Sequence, residues 1–394
     1  MTKERVDVVE INNRKDLRRF VNFTFTLYSQ NPHWTPPMIE EEIDTLDPTK
    51  NPVFKNAKAH YFLAFKNGEI VGRIAVMINW IEVKNLKKKK VRFGWFDVVD
   101  DINVTRALME KVHTIGYKNG MEFIEGPVGF SNMDKAGLLV KGFEESNTMI
   151  TWYNAPYYHE HFKKLGYRDL AIWVEYEITL SSFEESPEKI KKFSDLMLQR
   201  YKLKILDFKS KKQIIPYVER MFVLLEETYG KLQTFVPIQE EQIIQYKKKY
   251  FRYIHPEFIK CIVDKDDELI AFCITMPSFT RALKKANGRL YPFGFLHLLK
   301  SLYFNSRASF YLIGVHPKYQ NKGVTAIIFN EMQKTFNKFG YNVVETNPEL
   351  EENSSIQNLW KNYQHRQHKK RLTVTQKIKK GVVTKRHKLR SQFK

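Results

Sequence analysis

The sequence predicts an α+β fold in two copies, each a mostly antiparallel, twisted sheet flanked by helices. Three observations lead there. The same order of strands and helices runs twice through 394 residues. Two local echoes join the halves: FLAFKNGEIVGRIAV with IKCIVDKDDELIAFC, and KNGMEFIEGP with KFGYNVVETNP. Hydrophobic content of 43%, with 14% aromatic, suits two packed cores and argues against disorder.

The first half opens with the strand VDVVEI and a helix around Leu17 to Leu27, then a proline-bearing segment, NPHWTPPMIEEE. HYFLAFKNGEIVGRIAVMIN reads as strand–turn–strand, with Asn67-Gly68 supplying the left-handed turn residues. A strand from Trp95 to Val99, a helix from Asn103 to Lys118, the strand MEFIEGP, a helix after Pro156 and the strand AIWVEYEI complete it. SSFEESPEK then breaks the pattern. The second half repeats the order. KLKILDF is followed by helices over Ile214 to Tyr229 and Glu240 to Tyr253, then a strand–turn–strand with Asp266-Asp267 at the turn. After an insertion come YLIGV, a helix from Val324 to Phe339, YNVVETN, a helix after Asn353 and RLTVTQKI. The expected domains are 1–180 and 190–378, joined by the linker 181–189 and followed by a basic tail, 379–394.

A net charge of +21 implies polyanionic company: nucleic acid, an anionic membrane surface or a phosphorylated ligand. The run KNLKKKKVR (Lys84 to Arg92) and the tail from Lys377 carry much of it, with a solvated loop and a loose tail as the alternative to a role in such contacts. Two cysteines, Cys261 and Cys273, are too few for a disulfide framework, so a cytoplasmic setting is expected. The charged start MTKERVDVVEI has no apolar signal region, and no apolar run is long enough to span a bilayer. No metal site is expected.

LIGVHPKYQNKGVT, Leu312 to Thr325, runs from a strand through a glycine turn into a helix. That geometry gathers backbone N–H groups and the positive end of a helix dipole around one anion. The donors would be the amides of Lys322, Gly323, Val324, Thr325 and Ala326, with Gly323 allowing close approach and the Lys322 ammonium adding charge. An ordinary strand-to-helix turn is the alternative.

The series Val315-x-Pro317-x-Tyr319-Gln320-x-x-Gly323-x-Thr325 resembles the acyl-CoA loop of the GNAT N-acyltransferase superfamily, Gln/Arg-x-x-Gly-x-Gly/Ala. Thr325 departs from it. The resemblance implies acyl-CoA as cosubstrate, held by Gln320, Asn321 and the following amides, with the backbone of Ile313 and Val315 pairing its pantetheine arm. Asn353-Ser-Ser-Ile356-Gln-Asn-Leu359-Trp360 is similar to the superfamily's next motif and adds Asn353 to the cofactor set. Trp360 replaces the tyrosine that would protonate the leaving thiolate. The first half has no such loop and reads as a degenerate copy on the substrate side. NPHWTPPMIEE, DPTKNPVFKNA, GPVGFSNMDKAGLLVKGFEE, YNAPYY, NGRLYPFG and ELEEN further resemble a tandem-GNAT group of bacteria that includes ceramide synthases. This implies transfer of a fatty acyl group to a sphingoid-type amine. The alternatives are an acetyltransferase on a small soluble amine, an aminoacyl-tRNA-dependent or nucleic-acid-binding relative, and an inactive acyl-CoA sensor.

For a general base the first candidate is Glu345, on the strand facing the cofactor strand, with Asn347 on the same side and His316 in the loop itself. Asn132, Asp134 and Tyr158 are candidate substrate contacts, each with a loop-stabilising role as the alternative. In the insertion, Phe295, Leu298, Leu299 and Leu302 share one helical face, flanked by Arg281, Lys284, Lys285, Arg289 and Arg307. Such a face can lie in a membrane interface, roof an acyl-chain tunnel, or pack on its own domain.

Overall fold

The structure is a computed structural model that describes residues 5–131, 133–185, 188–230, 235–250, 254–352, 357 and 360–378. Contacts divide the chain into a first unit, residues up to Ile172 with Asn287–Arg289 and from Arg371 onward, and a second, Trp173–Ala286 with Leu290–Lys370. The expected break at 181–189 is therefore not where the units part. The chain passes from the first unit to the second after Ile172, inside a strand, and returns after Lys370, inside another, apart from the short excursion Asn287–Arg289.

The first unit contains β1 (Asp7–Ile11), α1 (Arg14–Leu27), α2 (Ile39–Leu46), β2 (Ala57–Lys66), β3 (Glu69–Asn79), α3 (Trp80–Lys84), β4 (Lys90–Val98), α4 (Ile102–Lys118), β5 (Phe123–Gly126), β6 (Leu138–Lys141), α5 (Tyr157–Lys164) and the start of β7 (Arg168–Thr179). Its sheet runs β1-β2-β3-β4-β5. Asn67 and Gly68 both adopt positive φ at the β2–β3 turn. Only β4–β5 is parallel among these pairs, and it lasts three residues, Lys90–Arg92 against Phe123–Glu125. α4 buries Val104, Leu108, Met109 and Val112 against Val91, Phe93 and Ile124, one face of the sheet. α1 and α2 cover the other, through Phe20, Val21, Ile43 and Leu46 against Leu63, Met77 and Trp95.

The basic run before β4 is not simply a solvated loop. Lys90 and Arg92 are buried: Lys90 Nζ lies 2.8 Å from Glu82 and 2.9 Å from Glu125, and Arg92 lies 2.6 Å from Glu82. Those carboxylates let a lysine-rich sequence become a central strand, which is why β4 begins five residues before the expected Trp95.

The second unit contains the rest of β7, α6 (Glu188–Tyr201), β8 (Lys204–Asp207), α7 (Lys211–Tyr229), α8 (Glu240–Tyr250), β9 (Ile259–Val263), β10 (Leu269–Pro277), α9 (Thr280–Ala286), α10 (Gly294–Tyr303), β11 (Arg307–Val315), α11 (Val324–Lys338), β12 (Val343–Glu345), β13 (Glu349–Leu350) and the start of β14 (Gln364–Lys377). Its strand order is β8-β9-β10-β11-β12-β7. Here too, among the described residues, a single parallel pair, β11–β12, lasts three residues, Arg307–Ser309 against Val343–Glu345. α11 packs Ile327, Ile328, Met332 and Phe336 onto Ala308, Phe310 and Val344. The rest of β14, counted with the first unit, pairs antiparallel to β5.

β14 starts in QHRQHKK, too charged to read as a strand. Within the second unit, Lys369 is fully buried and lies 3.0 Å from Glu175 and 3.5 Å from Glu345, which also faces Arg307 at 2.9 Å. Removing one member of a buried ionic cluster leaves the others uncompensated. Lys369→Met is expected to destabilise the protein by about 3 kcal/mol, read as a lower urea midpoint, and an unchanged midpoint contradicts the cluster's role.

Candidate functional site

The site begins where β11 and β12 part. After Ser309 and Glu345 the two parallel strands diverge, and the edge of β11 loses its backbone partner. Alternate carbonyls on that edge receive side-chain donors instead. Asn347 Nδ2 donates to Tyr311 O. The Tyr229 hydroxyl donates to Ile313 O at 2.8 Å. Val315 O accepts from Gln320 Nε2 at 3.1 Å and from the Thr228 hydroxyl at 3.2 Å. The spacing i, i+2, i+4 places all three carbonyls on one side of the strand.

Beyond β11, His316 caps a short 3-10 turn, Pro317–Tyr319, by accepting from Lys318 N at 3.2 Å. Asn321 and Gly323 then take left-handed φ values of 59° and 79°, which turns the chain into α11. A residue other than glycine at 323 costs about 1–2 kcal/mol in backbone strain, and its Cβ would meet the Phe193 ring at 2.1 Å. With glycine at the N-cap, α11 starts without a side-chain cap. The first N–H groups of a helix have no intrahelical partner, so Gly323, Val324 and Thr325 are the natural anion donors. Two of the five expected amides are engaged locally: Lys322 N donates to Tyr319 O and Ala326 N to Gly323 O. The Lys322 ammonium lies 5.5 Å from the Tyr319 ring centroid and 5.7 Å from that of Tyr201, held at the loop's rim by two aromatic faces.

The corresponding place in the first unit is closed. Asp101 caps α4: its carboxylate accepts from Asn103 N at 2.8 Å and lies 3.4 Å from Lys66 Nζ, so the helix terminus already holds an anion of its own. Past the β4–β5 pair the chain's own backbone fills the gap, with Val128 N donating to Phe93 O at 2.8 Å.

Among the expected catalytic residues, Glu345 is corrected. Its carboxylate is an ion-pair member, 2.9 Å from Arg307. Glu125 and Lys90, at the matching register of the first unit, make the same kind of pair at 2.9 Å. An ion pair present in both copies belongs to the framework. Asn347 stays in the site as a clamp on Tyr311. His316 holds its own turn and lies 3.6 Å from Glu227. Tyr158 is corrected too. It is fully buried, its hydroxyl 2.9 Å from that of Tyr28 and accepting from Val98 N at 2.9 Å. Asp134 accepts from Ser131 N at 3.0 Å, a loop contact. Asn132 and Asn353 lie outside the described residues.

Two residues not singled out from the sequence enter the site. Tyr229 ends α7, and burial raises its phenol, so it remains a hydroxyl donor. Glu349, on β13, pairs with Val174 of β7, one register step out of line with Glu345 opposite Glu177. Desolvation of its carboxyl outweighs hydrogen bonds from Trp360 and Thr346 and pushes it up to about 8. Trp360 Nε1 donates to it at 3.3 Å. Trp360 is itself buried, its ring 4.6 Å from Phe329 and 6.0 Å from Phe310. Cys261 and Cys273 are buried, with thiols pushed up by desolvation, which disfavours a covalent acyl-cysteine step. Among the described residues no group of side chains forms a metal site, and no helix is long and apolar enough to cross a membrane.

No family model matches the chain. Among curated proteins it is 27% identical to Protein YghO of Escherichia coli (strain K12), over 88% of this chain and 89% of that protein. It is 24% identical to a bacterial ceramide synthase of Caulobacter vibrioides, over 92% and 94%. Two solved structures are similar across nearly the whole chain. One is a tandem GNAT protein from the clavulanic acid biosynthesis pathway (TM-score 0.55, 9% identity, 95% of this chain and 99% of that one). The other is a GCN5-related N-acetyltransferase from Sphaerobacter thermophilus (TM-score 0.51, 10% identity, 96% and 97%). The chain has the tandem GNAT fold, as its sequence motifs implied.

Glu349 makes a pH prediction. A carboxyl raised on folding from 4.5 to about 8 takes up a proton as the chain folds. Its favourable contribution is complete below pH 4.5 and is lost as pH rises towards 8. Relative to Glu349→Gln, the native protein should lose at most about 1.4 kcal/mol per pH unit across that window. Denaturant titrations of both proteins measure it, and parallel pH dependence contradicts the shift.

Proposed function

We propose that the second unit is an acyl-CoA-dependent N-acyltransferase centre, transferring a fatty acyl group to a lipid amine such as a sphingoid base. The observation that carries the acyl-CoA part is the uncapped start of α11 beside the β11 edge, against an aspartate-capped counterpart in the first unit. The lipid-amine part is supported by similarity to a bacterial ceramide synthase over 92% of the chain. In this reading the protein works in the cytoplasm, as a peripheral protein at the inner face of the membrane.

The residues fit acyl-CoA. Amides of Gly323, Val324 and Thr325 hold its pyrophosphate, with Lys322 adding charge, and the Ile313–Val315 edge accepts its amide-bearing arm. The three side-chain donors on that edge act as clamps in the absence of ligand, and Gln320 fixes the loop to Val315. Acyl-CoA brings a thioester whose carbonyl carbon forms the new C–N bond as its C–S bond breaks. The ammonium form of the amine must shed one proton before attack and a second as the amide forms. Sulfur leaves as a thiolate that can take up one of them.

Glu349 is the proton acceptor in this scheme. An amine with neighbouring electron-withdrawing oxygen has a pKa near about 8, matched by a carboxyl at about 8, so the transfer is close to balanced. Trp360 replaces a tyrosine acid and serves to hold Glu349. A thiol with pKa about 8.5 can depart without such an acid.

Purified protein should release thiol from palmitoyl-CoA with sphinganine or its 3-keto form. No release, or release with acetyl-CoA and soluble amines alone, overturns the fatty acyl reading. Lys322→Glu is expected to weaken CoA binding about tenfold, which is about 1.4 kcal/mol, while an unchanged affinity moves the pyrophosphate elsewhere. Glu349→Gln should lower kcat by about 10²-fold or more and remove a rise in rate through pH 8. A variant that keeps both rate and profile rules out Glu349 as the base.

A further inference from the structure

α10 is apolar on two sides, and only one of them is used. Gly294 and Leu298 are buried, with Phe295 and Leu302 partly buried beside them, so packing against α9 accounts for that side. The remaining apolar residues stand in solvent. Leu296 and Leu299 are about half exposed, at 50% and 47%. Tyr291, Phe293, Tyr303 and Phe304 are exposed by 69% to 76%. The spacing 296, 299, 303 puts three of them on one helical stripe, with the aromatic pairs at either end. The expected stripe through Leu299 is thereby corrected, since Leu299 faces outward rather than sharing the packed side of Leu298.

The segment that carries this surface has charge of one sign. From Leu269 to Asn330 the sequence carries eight lysines or arginines and no aspartate or glutamate. Lys300 on α10, and Arg281 and Lys285 on α9, are exposed. We infer that the segment from Tyr291 to Phe304 is a membrane-docking platform that inserts aromatic and aliphatic side chains into the headgroup region of an anionic bilayer. Apolar side chains that project individually, beside the exposed cations Arg281, Lys285 and Lys300, match an interface that is apolar below and anionic above. A second copy of the chain suits the patch poorly, because a symmetric contact would set the same cations against one another. The inference rests on the lipid-amine reading for its purpose: it delivers the second unit to the surface where such an acceptor resides.

Co-sedimentation with vesicles tests it without acyl-CoA. The protein should bind vesicles of mixed phosphatidylglycerol and phosphatidylcholine, and bind at least tenfold less to phosphatidylcholine alone or at high salt. The triple variant Phe293→Ser, Tyr303→Ser, Phe304→Ser should lose binding at least tenfold, with its circular dichroism unchanged because those side chains are mostly solvated. Lys285→Glu with Lys300→Glu should also lose anionic-vesicle binding. Native-level binding by both variants, or no binding by the native protein, overturns the proposal. So does a solution dimer that the triple variant dissolves without any vesicle binding. Thiol release from detergent-dispersed substrate should survive in the triple variant. Failure of thiol release in the native protein would overturn the transferase reading and leave the vesicle result standing.

Discussion

A strand edge inside a folded domain cannot leave its carbonyls unpartnered, and this requirement organises the second unit. β11 keeps a parallel neighbour for three residues only. Past that point Tyr311, Ile313 and Val315 turn their carbonyls to Asn347, to Tyr229, and to Gln320 with Thr228. Side-chain donors satisfy the backbone, but they can be exchanged for another amide in a way that a paired strand cannot. Past the divergence β11 leads into the loop that ends at Gly323, while β13 pairs with β7 and its Glu349 lies close enough to Tyr229 to help raise that phenol.

The two units start from one plan and separate at this point. Both have a three-residue parallel pair, and both anchor its first residue to a carboxylate across the pair: Lys90 with Glu125, and Arg307 with Glu345. In the first unit backbone fills the divergence and Asp101 caps the next helix. In the second, glycine stands at the cap and side chains line the edge. A negative charge fixed at a helix N-terminus uses the field that would otherwise attract a phosphate, so the capping difference favours the second unit in the proposed reading.

Local signals were legible in the sequence and long-range electrostatics were not. Asn67-Gly68 announced its hairpin, and Gln320 with Gly323 announced the loop, because each depends on neighbours within a few residues. β4 and β14 began earlier than expected, since Lys90, Arg92 and Lys369 look solvent-bound until carboxylates distant in sequence neutralise them. Glu345 drew attention by its position, yet its partner Arg307 is 38 residues away. Glu349 went unnoticed because what distinguishes it is desolvation, which a linear pattern does not display. Tyr158 sits in a turn-like motif, but the hydroxyl of Tyr28, 130 residues earlier, makes it a core residue.

The central claim is that one edge and one helix start, both in the second unit, receive acyl-CoA. Hydrogen–deuterium exchange with and without CoA tests it most directly. The account predicts slowed exchange over Tyr311 to Ala326 and no change over Phe93 to Asn103. Protection in the first unit, or none in the second, would contradict it.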